Sequence, residues 1–227
     1  SKFSGPSLGT SLEVFKLGTP IGFGIFVELS MYSRAATILA PLGENIVSGH
    51  AVALNIASIV FMLPLAIGLA ASTRIGNLLG EKRYIEARYS SMVSVSLCFI
   101  GALFNMSLLI TLGDKLISLY TTDLLVYSIA SNLIIFAAIF QIPDGIGMGS
   151  LGALRGYKDT FMTMVFIIVA YWVFAIPFGY YLTYYGINQP MGESGMWISM
   201  IVGLMIFATL ISRRLNKISG KYVSVKN

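Results

Sequence analysis

The stretch "GIFVELSMYS" (24–33) sets one carboxylate in the middle of an apolar run, with Glu28 the only charged residue between Lys16 and Arg34. A charge inside a membrane span is costly and marks a functional site by default, so the first question is whether this run is a span. Composition answers it. The 227 residues are 56% hydrophobic and 11% charged, whereas soluble domains carry about 25% charged residues. Apolar surface in such excess has no arrangement in water and needs lipid. The net charge of +5 comes from short basic clusters between apolar runs. With no Arg/Lys stripe interleaved with aromatics, this is membrane topology and not a nucleic-acid surface. A single cysteine, Cys98, excludes an intrachain disulfide and a Cys-based metal cluster. No signal peptide precedes the first apolar run, and Ser1 in place of Met points to a piece of a longer chain or a processed one.

A bilayer core about 30 Å thick takes roughly 20 apolar residues as helix. Six stretches qualify, at about 17–40, 46–73, 90–112, 124–153, 161–185 and 194–212. None shows the alternation of a membrane barrel, so the expected fold is all-α with six transmembrane helices. Residues 1–16 are expected to form a cytoplasmic N-terminal segment and 213–227 a basic cytoplasmic tail. With both termini and the second and fourth connections on one side, that side holds Lys2, Lys16, Arg74, Lys82, Arg83, Arg88, Arg155, Lys158, Arg213, Arg214, Lys217, Lys221 and Lys226. The other holds Arg34 and Lys115. Thirteen against two predicts cytoplasmic termini.

Only Glu28 and Asp144, of ten acidic residues, lie deep inside spans. At 1.5 Å per residue, Glu28 stands about 16 Å from its cytoplasmic helix end and Asp144 about 13 Å from its own. Equal depth on two opposed helices predicts one shared polar cavity. The helical neighbours of Glu28 include Met31 and Tyr32, and those of Asp144 are Phe140, Gln141, Gly147 and Met148. Rings and thioethers beside a carboxylate suit sodium, a proton or a lipophilic organic cation. A structural, hydrogen-bonded carboxylate is the competing reading, weaker for a depth-matched pair than for one residue. His50, at the outer start of the second span, fits a satisfied structural histidine better than a proton relay. Asn55, Ser58 and Asn105 read as interhelical hydrogen-bonders. Pro143 is expected to disturb the fourth span and free the Ile139 carbonyl. In the glycine run of "PDGIGMGSLG" (143–152), exposed carbonyls beside a cavity compete with close helix packing; "GNLLG" (76–80) fits a small-xxx-small packing pair.

Enzymatic chemistry has little to stand on. There is no Gly-x-Gly-Asp, no His-Glu-x-x-His, no Cys–His pair with an orienting third group, and "RIGNLLGEKRY" lacks the Gly-Lys-Ser/Thr ending of a phosphate loop.

"GHAVALNIASIVFMLPLAIGLAASTRIGNLLG" (49–80), "FQIPDGIGMGSLGALRGYKDT" (140–160), "YWVFAIPFGYYL" (171–182) and "MGESGMWI" (191–198) resemble, in order, the C-terminal half of multidrug and toxic compound extrusion (MATE) transporters, in their bacterial NorM-type branch. The resemblance implies one six-helix lobe of a twelve-helix antiporter that exchanges sodium or protons for lipophilic cationic drugs across the bacterial inner membrane. It implies no cofactor beyond the coupling ion, and a partner N-terminal six-helix lobe that this chain lacks. It places Glu28 and Asp144 at the family's cation-coupling carboxylates, with Phe140, Gln141, Tyr32 and Met148 around them and sodium held between the two acids. Asp123 falls near an acidic position at the drug entrance. Phe140 stands where this branch often has Tyr, keeping the ring without a hydroxyl. The competing functions are a lipid-linked oligosaccharide flippase, which needs Arg/Lys to hold phosphate, a passive channel, and a non-transporting membrane scaffold.

Overall fold

A bilayer offers no water to backbone groups, so each N–H and C=O of a span must pair within its own segment, and long apolar runs become helices. The computed structural model describes residues 8–224 and contains six such helices. They are α1 (Leu8–Leu39), α2 (Glu44–Gly80), α3 (Tyr84–Ser118), α4 (Leu124–Gly156), α5 (Thr160–Tyr184) and α6 (Gly192–Ser224). Each is long and apolar enough to cross a membrane, and there is no strand among the described residues. The first part of the expected N-terminal segment (1–7, with Lys2) and the end of the tail (225–227, with Lys226) lie outside the described residues.

The helices overrun the apolar stretches that predicted them. α1 begins at Leu8, within the expected N-terminal segment, and α6 runs on to Ser224 through the expected tail. Hydropathy marks what lipid covers, whereas a helix continues until a breaker stops it. Neither flank contains proline within the helix, and Lys, Arg, Leu and Glu are good helix formers.

The two prolines behave differently from the expectation at Pro143. α4 is α-helical throughout Leu124–Gly156, across Pro143. The irregularity lies in α5, where the α-helix of Thr160–Ile167 gives way to a π-helical stretch, Ile168–Ala175, before α-helix resumes at Ile176–Tyr184. Pro177 cannot donate to Val173 and its ring crowds that carbonyl. Val173 lies in the π-helical stretch, whose wider turn relieves the conflict.

α4 is the centre of the lobe, packed most extensively on α2 and α3 and then on α6. Its glycines make this possible. A Cβ on Gly145 would stand 2.8 Å from the Cys98 carbonyl oxygen, and one on Gly149 2.8 Å from the Val95 Cα, both on α3. On the α2 side, a Cβ on Gly152 would overlap the Gly68 backbone, and one on Gly156 would lie 2.8 Å from the Ser72 oxygen. The glycine run is therefore a packing seam. "GNLLG" is not: Gly76 meets only the Gly156 oxygen at 4.0 Å, and Gly80 faces open space. α1 is the least buried span and packs chiefly on α5, standing off from α4. The gap between them is where the site lies.

Candidate functional site

Phe140, Asp144, Met148, Leu151 and Arg155 recur along α4 at helical spacing and present one face. Across the gap, α1 presents Ile25, Glu28, Leu29 and Tyr32. α2 closes the third side with residues that include Ala57, Ser58, Phe61 and Met62. Together they enclose a cavity of about 340 Å³. Glu28 and Asp144 both line it, Asp144 only 7% exposed. Tyr32, Phe140 and Met148 line it with them, and the Tyr32 and Phe140 ring centroids are 6.5 Å apart.

Three other candidates lie elsewhere. Gln141 is buried, but it faces α2 and α3: its Oε1 accepts from Asn105 Nδ2 at 3.2 Å and its Nε2 donates to the Ala57 carbonyl at 3.5 Å. Asn105 Nδ2 also donates to the Val60 carbonyl at 2.7 Å, so this amide pair ties three helices together. Asp123 is the exposed N-cap of α4, its Oδ1 accepting from the Leu125 and Val126 amides at 2.8 and 3.2 Å. His50 is buried against α6, its Nδ1 accepting from Trp197 Nε1 at 3.1 Å, with Nε2 unpartnered. A row of rings, Tyr32–Phe140–Trp197–His50, joins it to the cavity with centroids 6.5, 6.1 and 5.7 Å apart. Asn55 and Ser58 donate to Ala51 and Leu54 of their own helix and do not bridge helices. Ser58 still lines the cavity.

One cavity residue, and one buried tyrosine of α5, escaped the sequence reading. Arg155, counted above with the cytoplasmic side, lines the cavity. Its spacing of eleven residues from Asp144, close to three helical turns, was a usable signal. Tyr171 is 1% exposed and packs on Phe207, ring centroids 5.6 Å apart. It sits in the π-helical stretch, whose altered phase has no counterpart in the sequence pattern.

The cavity thus holds two carboxylates and one guanidinium, leaving one negative charge when all are ionised. Apart from the Ser58 and Tyr32 hydroxyls, its walls are otherwise aliphatic, aromatic and thioether, which suits a cation carrying apolar surface. Among the described residues, no three His, Cys, Asp or Glu side chains gather to hold a metal ion.

Comparison with known proteins finds relatives of this chain. The family model described as MatE matches residues 20–181. The multidrug resistance protein NorM of Vibrio vulnificus is 40% identical over 215 residues, covering 94% of this chain and 47% of that protein. The multidrug resistance protein PmpM of Pseudomonas aeruginosa is 34% identical over 224 residues, covering 98% and 47%. The chain spans about half the length of the curated relatives it matches. Among solved structures, the eukaryotic MATE transporter AtDTX14 superposes with a TM-score of 0.86 at 21% identity, over 98% of this chain and 50% of that one. The Vibrio cholerae MATE transporter VcmN in its bent form gives 0.85 at 16% identity, over 97% and 50%. At such identities the likeness speaks for the fold. Six apolar helices and these relatives make the chain a multi-pass membrane protein, and it belongs to the MatE family.

Proposed function

We propose that this chain is one six-helix lobe of a twelve-helix, cation-coupled antiporter that exports lipophilic cationic drugs from a bacterial cell, with Glu28 and Asp144 as the coupling carboxylates. One observation carries the reading: two acids from separate helices line a single aromatic cavity. The names of the relatives support drug export, and their doubled length supports a second lobe as the partner. The exposed apolar side chains of α1, among them Phe23, Phe26 and Leu29, need a lipid or protein cover. The charge count supports cytoplasmic termini.

The mechanism is exchange. A site with one surplus negative charge is neutralised by one monovalent cation, so drug and coupling ion displace each other. Displacement drives transport only if each binds the outward- and inward-open states with different affinity, because equal affinity shifts nothing. Sodium is the preferred ion: the Glu28 and Asp144 carboxylates with the Tyr32 and Ser58 hydroxyls offer an all-oxygen set. The Ile139 carbonyl is not needed, since neither Ile139 nor Pro143 lines the cavity. A proton would use one carboxylate alone. The flippase reading loses ground, because a lone guanidinium beside two carboxylates does not hold a phosphate. Asp123 would serve a drug entrance through the carboxylate oxygen that does not cap the helix.

The test is ethidium efflux by the complete two-lobe protein in vesicles, with sodium and pH gradients imposed separately. Glu28→Gln and Asp144→Asn should each reduce efflux to background while the protein remains folded in the membrane. Normal efflux by Asp144→Asn under either gradient overturns the proposal.

A further inference from the structure

Arg155 is the one cation among the residues lining the cavity, and the single surplus negative charge of the exchange mechanism above depends on it. It lies three helical turns beyond Asp144, about 16 Å along the axis. The Cα–Cβ bond of a helical residue leans toward the N-terminus, which for Arg155 is the direction of the acids. Its Nε is buried without a hydrogen-bond partner. Among the described residues neither Arg155 nor either cavity carboxylate forms an ion pair. Yet Glu28 and Arg155 lie within electrostatic range of each other, as do Glu28 and Asp144. A guanidinium keeps its charge in any environment a protein offers. Holding it in one cavity with two acids and paired with neither is expensive as a structural device, and a well-packed apolar side chain would serve stability as well.

We propose that Arg155 is a tethered counter-ion that sets the charge capacity of the cavity at one monovalent cation. It offsets one of the two carboxylates permanently, so the site is neutralised by either one coupling ion or one monocationic drug, never both. Arg155 thereby makes ion and drug mutually exclusive and selects monocations over dications, whose second charge meets no partner. Without it the cavity would carry two negative charges, accept a dication, and hold ion and drug together. The inference rests on the proposal that this cavity binds cations, and deepens it.

Ethidium and propidium share one aromatic ring system and carry one and two positive charges, so they separate charge from shape. Their binding to the complete protein in lipid nanodiscs, read by fluorescence at fixed ionic strength, is compared for wild type, Arg155→Met, Arg155→Gln, Arg155→Lys and Glu28→Gln. Both neutral variants should shift the propidium-to-ethidium affinity ratio toward propidium by at least tenfold, equivalent to about 1.4 kcal/mol. Arg155→Lys should keep the wild-type ratio. A structural role for Arg155 would weaken both dyes together and leave the ratio unmoved, which overturns the proposal. Wild type that already prefers propidium overturns it without any substitution, should the neutral variants fail to fold. Glu28→Gln separates the two layers: if it leaves ethidium binding intact, the cavity does not bind cations and the reading beneath fails. If it abolishes binding while the Arg155 variants keep the wild-type ratio, only the counter-ion role fails.

Discussion

The two faces of α4 are drawn from one stretch, residues 140–156, and do opposite things. On one, Gly145, Gly149, Gly152 and Gly156 bring the helix so near α2 and α3 that no Cβ fits. On the other, Phe140, Asp144, Met148, Leu151 and Arg155 stand clear of α1 and hold a cavity open. The packing face anchors the helix and the cavity face presents its chemistry. Charge is tolerated on the second because the first leaves it no freedom to shift. Lipid adds no hydrophobic drive between helices, so close small-residue packing must fix α4 in place.

Substitution on the packing face should do the most damage. Gly152→Leu puts a side chain where the Gly68 backbone already stands, and backbone cannot step aside as a flexible side chain can. Overpacking a well-filled core costs typically about 1–3 kcal/mol and more where the obstacle is rigid. The expected result is loss of folded protein, seen as aggregation on size exclusion in detergent. A monodisperse Gly152→Leu protein would break the distinction between the faces.

On the cavity face the expectation reverses. Asp144→Asn should abolish efflux yet leave thermal stability unchanged or raised, because it removes a buried carboxyl that has no ion-pair partner among the described residues. Stability is read from the unfolding temperature followed by tryptophan fluorescence. A fall comparable to that of Gly152→Leu would make Asp144 a structural carboxylate.

Trp197→Phe probes the second line of support behind the cavity. Trp197 is fully buried, packs edge-on to Phe140, and donates to His50. Phenylalanine keeps a ring but removes the donor, leaving both His50 nitrogens unpartnered in the interior. An unsatisfied buried polar group costs about 1–3 kcal/mol, and a correspondingly lower unfolding temperature is the expected readout. No change would mean that ring packing, and not the hydrogen bond, seats the histidine.

What was legible in the sequence follows the same division. Six spans, and two acids at equal depth, are properties of composition and helical rise, which need no tertiary information. The lining of the cavity required more. Arg155 lies on the Asp144 face by simple periodicity, but its neighbours Lys158 and Asp159 belong to a turn, and it was grouped with them. Gln141, next to Phe140 in sequence, is turned about 100° away on an ideal helix, so its amide serves α2 and α3. The interruption of α5 was signalled by Pro177 only as a possibility, since Pro143 in α4 gave the same signal with no interruption. Which of two prolines perturbs its helix depends on the packing around it, and that is not written locally.

The smallest expected effect tests whether every glycine pair spaced by four is a seam. Gly76 and Gly80 have the spacing, but Gly80 closes α2 with no atom near where its Cβ would be, and neither residue has a positive φ. Alanine therefore fits Gly80 without strain. It also narrows the conformations open to the unfolded chain, which stabilises by about 0.4–1 kcal/mol where the native backbone already suits it. Gly80→Ala should accordingly raise the unfolding temperature slightly, opposite in sign to Gly152→Leu, and leave efflux alone. Gly76→Ala, with its nearest neighbour at ordinary contact distance, should be close to neutral. If Gly80→Ala lowers stability instead, something seats against the end of α2 in the membrane, and the open space at Gly80 would be the place where the second lobe or a lipid packs.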